Sequence, residues 1–420
     1  MVAEGRRHAL SEGGFLMRSK LVLAFAFLLA MAPAVPASGD TGDWDVETIA
    51  TGLDNPRGVS VGASGAIYVA ESGSGGPTFV PDGSFGGTPA PGCVGESGAI
   101  TKVSDGNVER IATLPSAAEA FDPDGPGPLE PTCDGPIGFA AVGPSNVTER
   151  HRGRVDVAMG LGGNEALQTA FGEDFGSLVR VFPSGASRPV ANIAAYEEAN
   201  DPDGQGPDSN PYGLATLGTG RFVADAGANA LFHVRPNGAI SVAAVFPNLD
   251  PVPFTPPSCF GDLPPELQEL FPPPGTPIPP NAVPTAVAAG PHGDLYVGIL
   301  SGFPFGVGAA KVYRINTDTG RVGVLVDGLT HVTGIDFDDE GNLYVAQMTD
   351  VGLLELEICG SDAPGSVIKI DRNGNQEVIA QLPLIGDVAI DADGAVYVTY
   401  GSILPAFVGG GSLAKLTYNG

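Results

Sequence analysis

Two sets of residues in this 420-residue chain carry side chains able to do chemistry, and they recur at matched points along it. Glu71, Asp225 and Gln347 close short alternating apolar stretches, while Asn55, Asn210 and His331 open others. Carboxylate and amide oxygens suit a hard cation, so Glu71, Asn210 and Asp225, with Asn55 beside them, are expected to hold Ca²⁺ where the two sets meet. The same residues could instead cap turns and face water. His331 is the one histidine of five placed to join them, which is thin material for imidazole acid–base chemistry. A second oxygen-rich spot is Asp201-Pro202-Asp203-Gly204-Gln205-Gly206-Pro207-Asp208, echoed by Asp122-Pro123-Asp124-Gly125. It mimics the start of a calcium loop, with Asp201, Asp203 and Asp208 as ligands. Its twelfth position is Tyr212 rather than Glu, no flanking helix is expected, and such strings also form plain turns. The chain has no phosphate-binding glycine loop.

The elements that must position these residues are strands of a repeat. Gly65-Ala66-Ile67-Tyr68-Val69 returns as Gly293-Asp294-Leu295-Tyr296-Val297, Gly341-Asn342-Leu343-Tyr344-Val345 and Gly394-Ala395-Val396-Tyr397-Val398. Degenerate copies begin at Gly153 and Gly220. A Gly turn and an alternating stretch precede most copies, which is a hairpin signature. A third stretch carries a base one position before an apolar residue: Lys102, Arg180, His233, Arg314, Lys369 and Lys415. His233 therefore reads as structural. A fourth strand usually follows, as at Val108–Leu114. Four antiparallel strands repeated six times describe an all-β, six-bladed β-propeller. The sixth unit lacks its fourth strand, and Trp44–Ala50 resembles one, so the two ends of the chain are expected to complete one blade.

Ordered this way, the repeat puts its b–c loops (72–97, 160–175, 347–364) and d–a loops (115–134, 195–209, 247–282) on one face. The inner strands are expected to start near Asn55, Asp134, Asn210, Val283, His331 and Leu384. Segment 143–152 is expected as an unusually long turn on the opposite face. Its sequon at Asn146 reads as accidental. Loop insertions on one face mark a binding surface. Phe79, Phe85, Phe171, Phe175, Tyr196, Tyr212, Phe303 and Phe305 either stack on a ligand there or pack the loops down.

Composition agrees with this scheme. Gly 62 and Pro 39 suit a turn-rich fold and oppose a helical bundle. Lys+Arg 20 against Asp+Glu 48 gives −28, a surface that repels nucleic acid. Arg18 and Lys20, an apolar run to Val35 and a small-residue exit predict a cleaved signal peptide over 1–37, with Met17 as an alternative start. Residues 38–420 then form a single domain, secreted to the periplasm or beyond. It has no membrane segment after cleavage and is expected to be a monomer. Four cysteines in an exported chain suggest two disulfides. Cys93 and Cys133 flank one blade and form the expected pair, which leaves Cys259 with Cys359.

Several segments resemble the ScyD/ScyE family of exported propellers with NHL-like repeats. They include Thr51-Gly52-Leu53-Asp54-Asn55-Pro56-Arg57-Gly58, Asp208-Ser209-Asn210-Pro211-Tyr212-Gly213, Val223-Ala224-Asp225-Ala226-Gly227-Ala228-Asn229 and Gly302-Phe303-Pro304-Phe305-Gly306. Arg57, Tyr212 and Asn229 lie inside them. They join Asn55, Glu71, Asn210, Asp225, His331 and Gln347 as the residues expected to bind ligand. The founding members belong to a cyanobacterial gene cluster for scytonemin, an indolic pigment. The resemblance implies an exported protein binding a small molecule or a protein partner, accessory to secondary-metabolite assembly. It brings no agreed catalytic residues. The alternative is a Ca²⁺-dependent propeller enzyme of lactonase or oxidoreductase type.

Overall fold

The computed structural model describes residues 43–81, 84–85, 88–89, 91–120, 132–133, 141–163 and 165–419. The expected leader over 1–37 and the Asp122 loop lie outside these residues. Blade 1 consists of Pro56–Val61, Ile67–Glu71, Gly92–Ser104 and Asn107–Glu119. Blade 2 is Pro144–Arg150, Arg154–Met159, Ser177–Val181 and Ser187–Asn192, and blade 3 is Pro211–Leu217, Gly220–Asp225, Ala230–Val234 and Ile240–Val245. Blade 4 is Pro284–Ala289, Leu295–Ile299, Ala310–Ile315 and Val322–Leu329, and blade 5 is Val332–Phe337, Leu343–Gln347, Gly365–Ile370 and Gln376–Leu382. Blade 6 joins Asp387–Ile390, Val396–Tyr400 and Gly411–Tyr418 to Trp44–Leu53 from the other end of the chain. Val46 faces Leu416 across that closing ladder. The first strand of each blade adjoins the first strand of the next all the way round, which makes the ring.

The recurring sequence has a physical reason in each blade. The second strands at Ile67–Glu71, Leu295–Ile299, Leu343–Gln347 and Val396–Tyr400 are buried along their whole length, because sheets cover both faces. The recurring base lies opposite the tyrosine of that strand: Tyr68 with Lys102, Tyr296 with Arg314, Tyr344 with Lys369 and Tyr397 with Lys415. The Lys369 ammonium sits 5.5 Å from the Tyr344 ring centroid, a cation over a π face. In blade 3 the pair is Phe222 with His233, stacked at 4.6 Å, so His233 is structural. In blade 2 Asp156 replaces the aromatic ring, and Arg180 bonds it at 2.7 Å.

Two expectations about this face need correction. The inner strand of blade 2 is Pro144–Arg150, so it starts after Gly143 rather than near Asp134, and its turn at 151–153 is short. The loops are also not all irregular. Gly92–Ser104 and Asn107–Glu119 each run 13 residues, carrying the third and fourth strands of blade 1 past the ring. Helices Glu165–Phe171 and Leu353–Cys359 fill two b–c loops, and Ile193–Asn200 precedes Asp201 where no helix was expected. Two disulfides pin these loops, Cys93–Cys133 and Cys259–Cys359. Phe171 and Phe175 are buried with Leu161 and Leu167, and Phe254 and Phe271 with Leu354 and Ile358. Phe303 packs on Phe254 and Tyr196 on Phe232, so most loop aromatics hold loops down. Phe79 alone of the eight is 43% exposed, with Phe85 outside the described side chains.

Candidate functional site

Four of the six inner strands follow a kink. Asn55, Val283, His331 and Leu384 all have φ between 43° and 56°, the left-handed region that side chains rarely occupy. Directly after each kink the chain enters the ring, and the end of the second strand lies alongside. The two sets of candidate residues therefore do meet at the loop-rich mouth, blade by blade.

Their chemistry is inward-directed. Glu71 is 1% exposed, and its Oε2 accepts the Asp54 N–H at 2.7 Å and the Arg110 guanidinium at 2.9 Å. Its Oε1 accepts the Thr101 hydroxyl. Asp225 is fully buried; Oδ1 accepts N–H groups of Asn210, Gly227 and Ala228, and Oδ2 accepts the Ser209 hydroxyl at 2.7 Å. Burial pushes its carboxyl up to about 6, against the hydrogen bonds that pull it down. Gln347 Oε1 accepts the Thr330 N–H at 2.7 Å. Three blades thus use one device: the polar side chain ending the second strand clamps the backbone that leads into the first. Asn55 Nδ2 donates to Gly73 O, Asn210 Oδ1 accepts from Leu161 N, and Asn229 Oδ1 accepts from Val283 N at 3.0 Å. Among the described residues no group of three or more His, Cys, Asp or Glu side chains is arranged to hold a metal ion.

His331 is at the mouth but closed off. It is 0% exposed, its Nε2 accepts the Leu353 N–H at 3.0 Å, and burial pushes its imidazole down to about 4. It stays neutral, with the proton on Nδ1. Arg57 and Tyr212 reach across instead. The guanidinium lies 5.8 Å from the Tyr212 ring centroid, and it donates to the Tyr212 hydroxyl at 3.2 Å and to Ala141 O at 3.3 Å. Arg57 Nε is buried with no hydrogen-bond partner among the described residues. The same holds for Ser301 Oγ, Ser402 Oγ, His331 Nδ1 and Glu357 Oε2, all on this face.

Below the mouth, the later residues of all six inner strands line a cavity of about 240 Å³ on the axis. Two acids missed by sequence reasoning face it. Asp387 of blade 6 accepts the Val59 N–H of blade 1 and the Asn146 amide of blade 2, both at 3.0 Å. Asp336 of blade 5 accepts the Ile390 N–H of blade 6 at 2.9 Å. They are staples between blades whose inner strands share no ladder. Gly58 lets this happen: a Cβ there would lie 2.6 Å from Asn146 Cα. The shared Pro at the first ring position, Pro56, Pro144, Pro211 and Pro284, was the available signal for placing Asn146 here.

Burial, with Asp336 nearby, pushes Asp387 up to about 8, and burial pushes Asp336 up to about 6. Both lie above the unfolded value, so their contribution is complete below about pH 4 and is lost as pH rises through the folded values. The melting temperature is expected to fall between pH 6 and pH 9, and Asp387→Asn should flatten that slope. A variant that keeps the wild-type slope in thermal melts across that range would contradict the assignment.

No family model matches the chain, and no curated protein matches it. Solved six-bladed propellers are similar in fold. A streptogramin B lyase structure is 12% identical with a TM-score of 0.43, over 90% of this chain and 98% of that one. A calcium-binding protein, regucalcin, from Agrobacterium tumefaciens strain C58 is 12% identical with a TM-score of 0.46, over 92% and 96%. A luciferin-regenerating enzyme is 12% identical with a TM-score of 0.46, over 90% and 96%.

Proposed function

We propose that this propeller binds a small acceptor-rich molecule, anionic or carbonyl-bearing, at the loop-rich mouth of its channel. Arg57 carries the reading: a guanidinium stacked on Tyr212, with a buried Nε–H that has no acceptor among the described residues. Buried donors left this way are rare in folded proteins. Ser301, Ser402 and His331 add further unmatched polar atoms to the same face. Two disulfides suit an oxidising compartment, which supports export. No helix among the described residues is long and apolar enough to cross a membrane. By its resemblance to the ScyD/ScyE propellers, the protein would serve as an accessory to secondary-metabolite assembly. A Ca²⁺-dependent lactonase or oxidoreductase would need the mouth carboxylates free, and Glu71 and Asp225 are spent on their own blades.

Small molecules co-purifying with the exported protein, identified by native mass spectrometry, test this. Wild type should carry a bound acceptor-rich compound, and Arg57→Ala should weaken its binding at least about tenfold, the value of a charge-assisted hydrogen bond. Wild-type protein without such a compound, or unchanged affinity in the variant, would overturn the reading.

A further inference from the structure

We propose that the Asp201–Asp208 loop of blade 3, with Glu197 beneath it, binds Ca²⁺. Helix Ile193–Asn200 runs directly into the loop, and Asp201 caps it in a left-handed conformation, its N–H donating to Glu197 O at 2.7 Å. Glu197, in the last turn of that helix, is 0% exposed. Its Oε2 accepts the Asp208 N–H at 3.1 Å, which turns the carboxyl toward the loop. Its Oε1 has no hydrogen-bond partner among the described residues. A fully buried carboxylate oxygen facing a polar loop without a donor calls for an unseen cation or a proton.

The surroundings favour a cation. Asp225, Asp208, Asp201 and Asp203 all place negative charge near Glu197. No Lys or Arg lies within ion-pair distance of Glu197, Asp201, Asp203 or Asp225 among the described residues. All the donors at hand are hard oxygens, with no thiol or imidazole. Oxygen-only sites with flexible spacing suit Ca²⁺, whereas Mg²⁺ demands a near-octahedral shell and holds its water. The loop is already bent for the purpose. Asp201 Oδ1 accepts Gly206 N at 3.2 Å, and Asp203 Oδ1 accepts Gln205 N at 2.9 Å. These carboxylates do not yet meet at one point. Asp201 and Asp203 are partly exposed, and Asp203 Oδ2 accepts the buried Asn229 amide at 2.8 Å, a bond that would yield when the carboxylate turns to an ion at Glu197 Oε1. This site is separate from the Arg57 mouth, and its failure would leave that reading standing.

The test is calorimetric titration of Ca²⁺ into EDTA-stripped full-length protein, with thermal melts in parallel. One site is expected, with a Kd of about 10⁻⁴–10⁻³ M, as in other extracellular calcium modules. The melting temperature should rise with Ca²⁺ and not with equal Mg²⁺. Glu197→Gln should abolish both effects while melting no lower than wild type in EDTA, since the amide keeps the shape of the buried carboxyl and can still accept the Asp208 N–H. Should that variant fail to fold, Asp203→Asn on the partly exposed loop should weaken binding at least about tenfold. No heat and no shift up to about 10 mM Ca²⁺, an equal response to Mg²⁺, or wild-type affinity in either variant would overturn the proposal.

Discussion

Asp156→Ala is expected to cost the fold about 3–5 kcal/mol, the usual loss when a buried charge is left without its partner. Asp156 is 0% exposed and meets three guanidiniums: Arg180 and Arg221 at 2.7 Å and Arg150 at 3.2 Å. Arg221 comes from blade 3, so the cluster ties two blades together. Its side chain is 7% exposed, and burial already pushes its guanidinium below the ordinary value. Removing the carboxylate would leave three cations facing one another, with Arg221 and Arg180 largely shut off from water. Asp156→Asn, which keeps the shape and loses the charge, should fall between wild type and alanine. Urea unfolding measures the effect as a lower midpoint at unchanged slope. A loss below about 1 kcal/mol for the alanine variant would place this cluster among ordinary surface ion pairs.

Cys259→Ser with Cys359→Ser is expected to cost about 2–4 kcal/mol. The bond joins residues 100 apart, linking the segment between blades 3 and 4 to the Leu353–Cys359 helix of blade 5. Chain entropy makes so long a loop worth more than the 40-residue span of Cys93–Cys133, by roughly 1 kcal/mol. The apolar cluster of Phe254, Phe271, Leu354 and Ile358 remains in the variant, so the segment should stay docked but open more often. Limited proteolysis between 250 and 283 should therefore quicken well before global unfolding. Equal losses for the two double variants would refute the ranking.

The blades were legible because their period is written in side chains that must touch. Tyr opposite a base, and Gly at the hairpin turn, recur for reasons of contact and conformation. Blade 2 was misplaced at its start because Pro144-Ser145-Asn146-Val147 lacks the Gly at the third ring position seen in Gly58, Gly213 and Gly334. The positions of Glu71, Asp225 and Gln347 were legible, and their work was not. Spacing puts a carboxylate at a strand end, but one rotation about its side chain decides between the axis and a backbone amide. Asp336 and Asp387 went unnoticed because, along a strand, a side chain facing a channel alternates like one facing water. The eight-residue helix Ile193–Asn200 went unnoticed because it is too short to show a period.

The closing blade has a consequence in time. Trp44–Leu53 is among the first parts of the described ring to leave the ribosome, and Gly411–Tyr418, its ladder partner among the described residues, is among the last. Until both are present, blade 6 has an open edge and the ring stays a cut arc. Such pairing across nearly the whole sequence is slow to form.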